Sequence, residues 1–425
     1  MIEMRLNDFF PGNKMFISQS LVWFVWLIAS IFYAYQYLLR VMPNIMLVDL
    51  MQQFNIDTTI FGQFSGIYYI GYSLMHLPIG IMLDRYGPRK VMTGCILLTV
   101  IGLLPIIFAK QWMYPILGRA LIGIGSSAAI LGVFKIIRMT FTEQRFTRML
   151  SFSVTIGLAG AIYGGGPVSY MCALWGYKAV VQLFAAIGLV LACITYFIVP
   201  DIKSNHKATI LADIKAVFTN RKVLLVCFSA GMMVGPLEGF ADVWGSQFLK
   251  HIYGFETTTA NYLPSIIFVG MCFGAPVLSL IAEKTGYYLG TIIGAACAMF
   301  IIFTLLVTGG LTIESITIDF ILVGIGCSYQ ILAIYKASTY VSENIAGLTT
   351  AVANMIIMSF GYAFHSIIGF IIHAYGGPEV HQSFAYGISV IPITLFLGMM
   401  GFLALGFLDR ITFRKLSVNA NKSII

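Results

Sequence analysis

Between two long apolar runs the chain reads Gly80-Ile81-Met82-Leu83-Asp84-Arg85-Tyr86-Gly87-Pro88-Arg89-Lys90. The flanking runs, 59–83 and 91–109, are each about as long as a bilayer crossing demands, ~20 mostly apolar residues. Four charges lie within the seven residues from Asp84 to Lys90, and Gly87-Pro88 reverses the backbone. Such a segment is a tight loop on a membrane surface.

The rest of the chain repeats that arrangement. Of its 425 residues 59% are hydrophobic and 10% charged, with a mean hydropathy of +0.89. Soluble domains carry about 25% charged residues, so this balance belongs in a bilayer. Twelve runs are separated by charges or Pro/Gly turns: 19–42, 59–83, 91–109, 113–136, 150–172, 178–199, 223–249, 260–282, 288–308, 316–337, 345–373 and 383–408. The expected fold is an all-α membrane protein with twelve transmembrane helices. A net charge of +8 is no nucleic-acid footprint, because the basic residues sit in the connections. With the N-terminus taken as cytoplasmic, twenty of the 25 Lys and Arg fall on the inner side; Arg40, Lys110, Lys178 and Lys250 fall on the outer, and Arg119 lies inside a run. That asymmetry predicts both termini in the cytoplasm. The first run has no small-residue cleavage site behind it and reads as a retained span. All seven cysteines fall in the runs without a C-x-x-C pair, so packing thiols are expected, not a disulfide frame or metal site. No phosphate loop, zinc motif or catalytic triad is present, which speaks against an ATP-driven pump or an enzyme and predicts no cofactor.

The pattern Gly80-x-x-x-Asp84-Arg85-x-Gly87-x-Arg89-Lys90 resembles the signature loop between helices 2 and 3 of the major facilitator superfamily of secondary transporters. Internal repetition agrees. Gly123-Ile124-Gly125-Ser126-Ser127, Ile130-Leu131 and Lys135 of the fourth run recur as Gly324-Ile325-Gly326-Cys327-Ser328, Ile331-Leu332 and Lys336 of the tenth, with a shift of 201 throughout. The signature loop has an echo from Ser279 to Gly286. Six spans return a chain to the side it started from, so the repeats are parallel, as the two halves of this superfamily are. The expected organisation is a six-helix bundle over 1–200, a cytoplasmic linker over 201–222 with a surface helix near 208–218, and a second six-helix bundle over 223–425. The resemblance implies alternating access around a central cavity. It assigns Gly80, Asp84, Arg85, Gly87 and Arg89 to a conformational latch, against the plainer reading that these charges only anchor topology.

Charges within membrane helices are costly and are functional candidates by default. Tyr33, Gln36, Tyr37 and Arg40 share one face of the first run; Arg40 either lines a cavity with them or snorkels to the interface. Arg119 sits two turns into the fourth run, and Arg119-x-x-x-Gly123-x-Gly125 resembles the family motif whose arginine faces the cavity. Its repeat counterpart, Phe320, is uncharged. In the seventh run Glu238 and Asp242 stand four residues apart beside a Pro/Gly break. Two close carboxylates in low dielectric retain a proton readily, as a proton-coupling acid must; the plainer reading pairs one of them with Arg40. Softer solute-contact candidates are Tyr69 (with Gln63, Tyr68, Tyr72 and His76) in the second run, Tyr329 and Gln330, which replace Ala128-Ala129 of the other repeat, and Asn354, with His365, in the eleventh.

The stretches Gly239–Gly245 and Gly326–Gln330 resemble bacterial permeases near the lysosomal dipeptide transporters and the amino-acid transporters of intracellular bacteria. This resemblance and the opposed charges lead to an expectation of proton-coupled uptake of a small zwitterionic or anionic solute (amino acid, short peptide or organic anion) by a monomer in a bacterial inner membrane. Arg119 and Arg40 would hold a carboxylate, and Glu238 or Asp242 an ammonium or the coupling proton. Two alternatives stand: an exporter of drugs or metabolites, suggested by the glycines from Gly157 to Gly166-Pro167 that resemble an antiporter motif, and a non-transporting sensor.

Overall fold

The computed structural model describes residues 19–200 and 210–422. Among the described residues, twelve helices are long and apolar enough to span a membrane: α1 (Ser20–Asn44), α2 (Thr58–Tyr86), α3 (Pro88–Phe108), α4 (Met113–Thr140), α5 (Arg148–Trp175), α6 (Tyr177–Ile198), α7 (Arg221–Tyr253), α8 (Thr257–Thr285), α9 (Tyr288–Thr308), α10 (Ile313–Ser338), α11 (Leu348–Ala374) and α12 (His381–Ile411). Each coincides with an apolar run of the sequence. The connector carries a helix over Ile210–Thr219. The expectation that both termini are cytoplasmic falls on residues outside those described.

Local chemistry sets the ends of α2. The Asp57 side chain accepts the backbone N–H of Ile60 at 2.8 Å, filling one of the four donors a helix start leaves open. At the other end Gly87 takes φ +86°, which a Cβ would oppose, and Pro88 begins α3, where its missing N–H is no loss.

The helices form two six-helix bundles, α1–α6 and α7–α12. The glycines that mark the repeat are where helices meet backbone to backbone. A Cβ on Gly123 of α4 would lie 2.1 Å from the Tyr68 carbonyl of α2; one on Gly324 of α10 would lie 2.1 Å from the Ile267 carbonyl of α8. Equivalent glycines thus make equivalent contacts, by the small-residue packing that membranes favour. Phe108, Phe197, Phe273 and Phe407 are well exposed on the outer surface, as lipid contact allows.

The bundles join along two seams. At α2–α11, a Cβ on Gly62 would meet the His365 carbonyl at 2.3 Å and one on Gly369 the Thr58 carbonyl at 2.4 Å; the Thr58 hydroxyl donates to the Gly369 carbonyl at 3.0 Å. At α5–α8, the Asn261 amide donates to the Ser169 hydroxyl at 2.7 Å. Both seams lie toward the end of the molecule opposite the Asp84 loop. At the basic end three ion pairs among the described residues join residues of one bundle. Lys135 pairs with Asp84 at 2.6 Å, and Lys222 and Lys336 pair with Asp409 at 2.9 and 3.2 Å. Tyr340 donates to the same Asp409 at 2.5 Å. Burial and that neighbouring carboxylate hold its hydroxyl well above the usual phenol range.

Candidate functional site

Helix α7 is not continuous. Pro236 has no N–H to give the preceding turn, and the span divides into Arg221–Met232, a π-helical segment Gly235–Trp244, and Gly245–Tyr253. π-Helical turns are rare and gather at functional sites. This one carries Glu238 and Asp242, both fully buried, and turns them toward α1 of the other bundle.

There they meet Arg40. Its Nε donates to Asp242 Oδ2 at 2.7 Å and its Nη2 to Oδ1 at 3.2 Å, the two-pronged fit of guanidinium to carboxylate. The same Nη2 lies 3.0 Å from Glu238 Oε2. The Tyr69 hydroxyl of α2 contacts both carboxylates, while the Arg40 guanidinium lies 4.7 Å from the Tyr37 ring centre and 5.5 Å from that of Tyr69. Glu238 Oε1 is buried with no partner. Arg40 is only 5% exposed, so it does not snorkel.

Arg119 also sits at this depth but faces elsewhere. Its two terminal nitrogens donate to the carbonyls of Leu39 and Arg40, near the end of α1, at 2.6 and 2.7 Å. Its guanidinium lies 4.8 Å from the Tyr68 ring centre. Arg119 therefore holds the backbone that presents Arg40.

The tyrosines of α1 and α2 build a wall beside this cluster. Tyr33 and Tyr37 are in edge contact at 5.1 Å, and Gln36 accepts from Tyr68 at 2.6 Å. Tyr72 stacks over Tyr68 at 6.1 Å and is only part-buried. On the other bundle the Tyr329 hydroxyl donates to the Ala230 carbonyl at 2.6 Å, tying α10 to α7. Gln330 is buried with Nε2 unpartnered, and Asn354 is half-buried on α11. In the signature loop, Asp84 is mostly exposed and bound to Lys135 of its own bundle, and Arg85 is exposed. Arg89 donates to the Val199 carbonyl at 2.7 Å. Gly80 has room for a Cβ, its nearest neighbour being 3.9 Å away.

Sequence reasoning did not find the π segment, nor the bond of Asn44 to Ser246 at 3.1 Å. The signal was there: Arg40/Asp242 and Asn44/Ser246 are both separated by 202 positions, one more than the repeat shift. Near-equivalent positions of the two bundles face one another.

The family profile of the Major Facilitator Superfamily matches residues 25–366. Among curated relatives, the chloramphenicol resistance protein CraA of Acinetobacter baumannii is 20% identical over 76% of this chain and 80% of its own. A Bacillus subtilis protein described as the uncharacterized transporter YybO is 24% identical over 72% and 77%. Among solved structures, a mutant of the nucleoside transporter NupG aligns with a TM-score of 0.72 at 16% identity, over 90% of this chain and 99% of that one. A bacterial homolog of the human lysosomal transporter Spinster, solved inward-facing and unoccupied, aligns at 0.69 and 16%, over 91% and 99%.

Proposed function

From the premise that this chain belongs to the major facilitator superfamily, a multi-pass membrane transporter and not an enzyme, we propose that it imports a small carboxylate-bearing solute together with protons. The solute class is an amino acid, a short peptide or an organic anion, and the membrane a bacterial inner membrane, in line with the bacterial relatives. In this reading the basic end is cytoplasmic. The conformation is then closed toward the outside, where both seams lie, and open toward the inside, where the ion pairs of Asp84 with Lys135 and of Asp409 with Lys222 and Lys336 each stay within one bundle.

One observation carries the proposal: a guanidinium of one bundle is clamped by two carboxylates of the other. With both acids ionised, Glu238 and Asp242 set two negative charges against Arg40, the one guanidinium they touch, in a dry site, which is expensive. The Tyr69 hydroxyl touches both acids but can donate its single proton to only one of them. The cluster is thus built to hold one extra positive charge, a proton or a solute ammonium. A solute carboxylate can take Asp242's place on Arg40, releasing the clamp and letting the bundles rock. Arg119 supports this exchange by fixing α1, and Tyr33, Gln36, Tyr37, Tyr69, Tyr329, Gln330 and Asn354 are the proposed surroundings of the solute. The branch we favour is that of the dipeptide and amino-acid transporters.

The test uses purified protein in liposomes with a pH dye inside and an inward proton gradient, offered a panel of amino acids, dipeptides and organic acids. At least one solute should acidify the lumen, and Glu238→Gln or Asp242→Asn should abolish that response. Solute entry without proton entry, or undiminished coupling in both variants, refutes the proposal. Export is the second reading, and the likeness to a chloramphenicol resistance protein supports it in so far as outward transport is one route to resistance. The glycines of α5 do not require it, since a Cβ on Gly160 would lie 2.0 Å from the Ala34 carbonyl and close packing alone demands glycine there. Solute-dependent accumulation in whole cells, against depletion, separates the two.

A further inference from the structure

His365 of α11 lies in the α2–α11 seam, 1% exposed, with neither ring nitrogen hydrogen-bonded among the described residues. A neutral imidazole always carries one donor and one acceptor, and burying both without partners is costly. The ring stacks on Tyr69 at 5.4 Å and 28°, the same Tyr69 whose hydroxyl contacts Glu238 and Asp242. The His365 carbonyl is the atom that a Cβ on Gly62 would strike, so the residue sits where the bundles close on each other. The orphaned nitrogens therefore belong to a group whose partners are present in another state, when the seam is open and wet.

We infer that His365 is the entry station for the coupled proton, loading from external water when the seam is open and surrendering the proton to the carboxylate cluster as the seam closes. This rests on the proton-coupled reading above. The titratable and charged groups around it account for the direction. Across the seam stands Tyr69 of α2; Arg40 of α1 and Arg119 of α4 act on the ring with the same sign of charge as an imidazolium; α7 brings Glu238 and Asp242. A protonated ring sealed in the closed seam, with no acceptor on either nitrogen among the described residues, would be a bare buried cation. The cluster beyond Tyr69 has the complementary defect, two carboxylates on a single guanidinium and an oxygen without a partner among the described residues, Glu238 Oε1. Moving one proton from an imidazolium nitrogen to that oxygen, through water still in the closing seam, removes both charges. One N–H bond is broken and one O–H bond formed, with no other reactant. His365 is a carrier here, not a structural plug, so what matters is its titration and not its volume.

The experiment uses the full chain in lipid nanodiscs, with spin labels on ketone-bearing residues introduced at Lys110 and Glu379, two exposed loop positions on different bundles at the seam end. Distances are recorded from about pH 5 to about pH 8, the range in which histidine titrates. With the native residue the open-seam population should rise with acid through a histidine-like midpoint. In His365→Gln, which keeps a donor and an acceptor but cannot charge, that midpoint should vanish. His365→Phe, which keeps the stack on Tyr69, should behave as His365→Gln does. An unchanged midpoint in both variants overturns the inference. Lumenal acidification in liposomes separates the two claims. If Glu238→Gln or Asp242→Asn abolishes proton coupling and His365→Gln does not, the carboxylate reading stands and the histidine is not the carrier; if none of the three variants affects it, both fall.

Discussion

Gly62→Ala should open the seam between the bundles without unfolding either of them. A Cβ at this position would stand 2.3 Å from the His365 carbonyl and 3.1 Å from its carbonyl carbon, against an ordinary contact of 3.4 Å or more. The obstacle is backbone on both sides, so no side chain can swing away, and α2 and α11 must separate by about 1 Å. Overpacking of that kind costs roughly 1–3 kcal/mol. The contact exists only in the closed-seam state, so the whole cost bears on the equilibrium between states, a shift of about 5- to 150-fold toward opening. Spin-label distances between positions 110 and 379 would report it directly. Gly123→Ala is the control: its Cβ would meet the Tyr68 carbonyl at 2.1 Å, but inside one bundle and so in every state. It should lower the melting temperature and leave the distance distribution alone. A folded Gly62→Ala protein whose distances match the parent would show that the seam is a permanent joint, and alternating access along it would be refuted.

Arg119→Ala removes two charge-assisted bonds to the α1 carbonyls at 2.6 and 2.7 Å, each worth ~1.5–3 kcal/mol. A fall in melting temperature should dominate, and an unchanged melting temperature with altered solute affinity would return Arg119 to the solute. Tyr69→Phe keeps the ring on His365 and deletes the hydroxyl between the acids. At ~1.4 kcal/mol or more of lost stabilisation, proton-coupled uptake should fall about tenfold in lumenal pH assays while the protein stays folded. Asp84→Asn should barely move the melting temperature, because the Lys135 pair is largely exposed on the Asp84 side and such pairs contribute ~0–1 kcal/mol. Uptake should nevertheless drop if Asp84 latches the other bundle in the alternative state, and undiminished uptake would reduce the loop to a topology anchor.

The spans were legible in the sequence because crossing a bilayer imposes one length and one composition, and the glycines of 123–125 and 324–326 announced the repeat for the same reason that they pack. The charged residues were legible as a set, since buried charge is rare enough to single out Arg40, Arg119, Glu238 and Asp242. Their division of labour was not. Arg119 and Arg40 are equally improbable in hydrocarbon, and only the fold distinguishes a guanidinium that binds carbonyls from one that binds carboxylates. The π segment was invisible for a related reason: Pro236 and its glycines announce a break, but hydrogen-bond spacing after a break depends on packing against neighbours such as Phe364, which lies 2.7 Å from where a Cβ on Gly235 would be.

The repeat also explains why the charges sit where they do. Arg40/Asp242 and Asn44/Ser246 join near-equivalent positions of α1 and α7, so the pseudo-two-fold axis passes between them. Identical residues on such an axis would set like charge against like; opposite signs turn the same geometry into a clamp. The supporting residues have diverged in parallel: Arg119 braces α1 through its carbonyls, while its counterpart Phe320 braces the π segment through Phe240, ring centres 5.4 Å apart. A charge exchange probes this directly. Arg40→Asp alone gathers three acids in a dry site, and Asp242→Arg alone sets two guanidinium groups face to face; either should cost several kcal/mol and favour the open seam. The double exchange restores one attractive pair, so the cycle of spin-label populations should show a coupling of ~1–3 kcal/mol. Transport should not return with closure, because Glu238 would then neighbour the new arginine on its own helix and no cation would remain on α1 to receive a solute carboxylate. Recovery of both closure and uptake in the double variant would mean that the sign of each wall is immaterial, and the assignment of the carboxylate to Arg40 would fail.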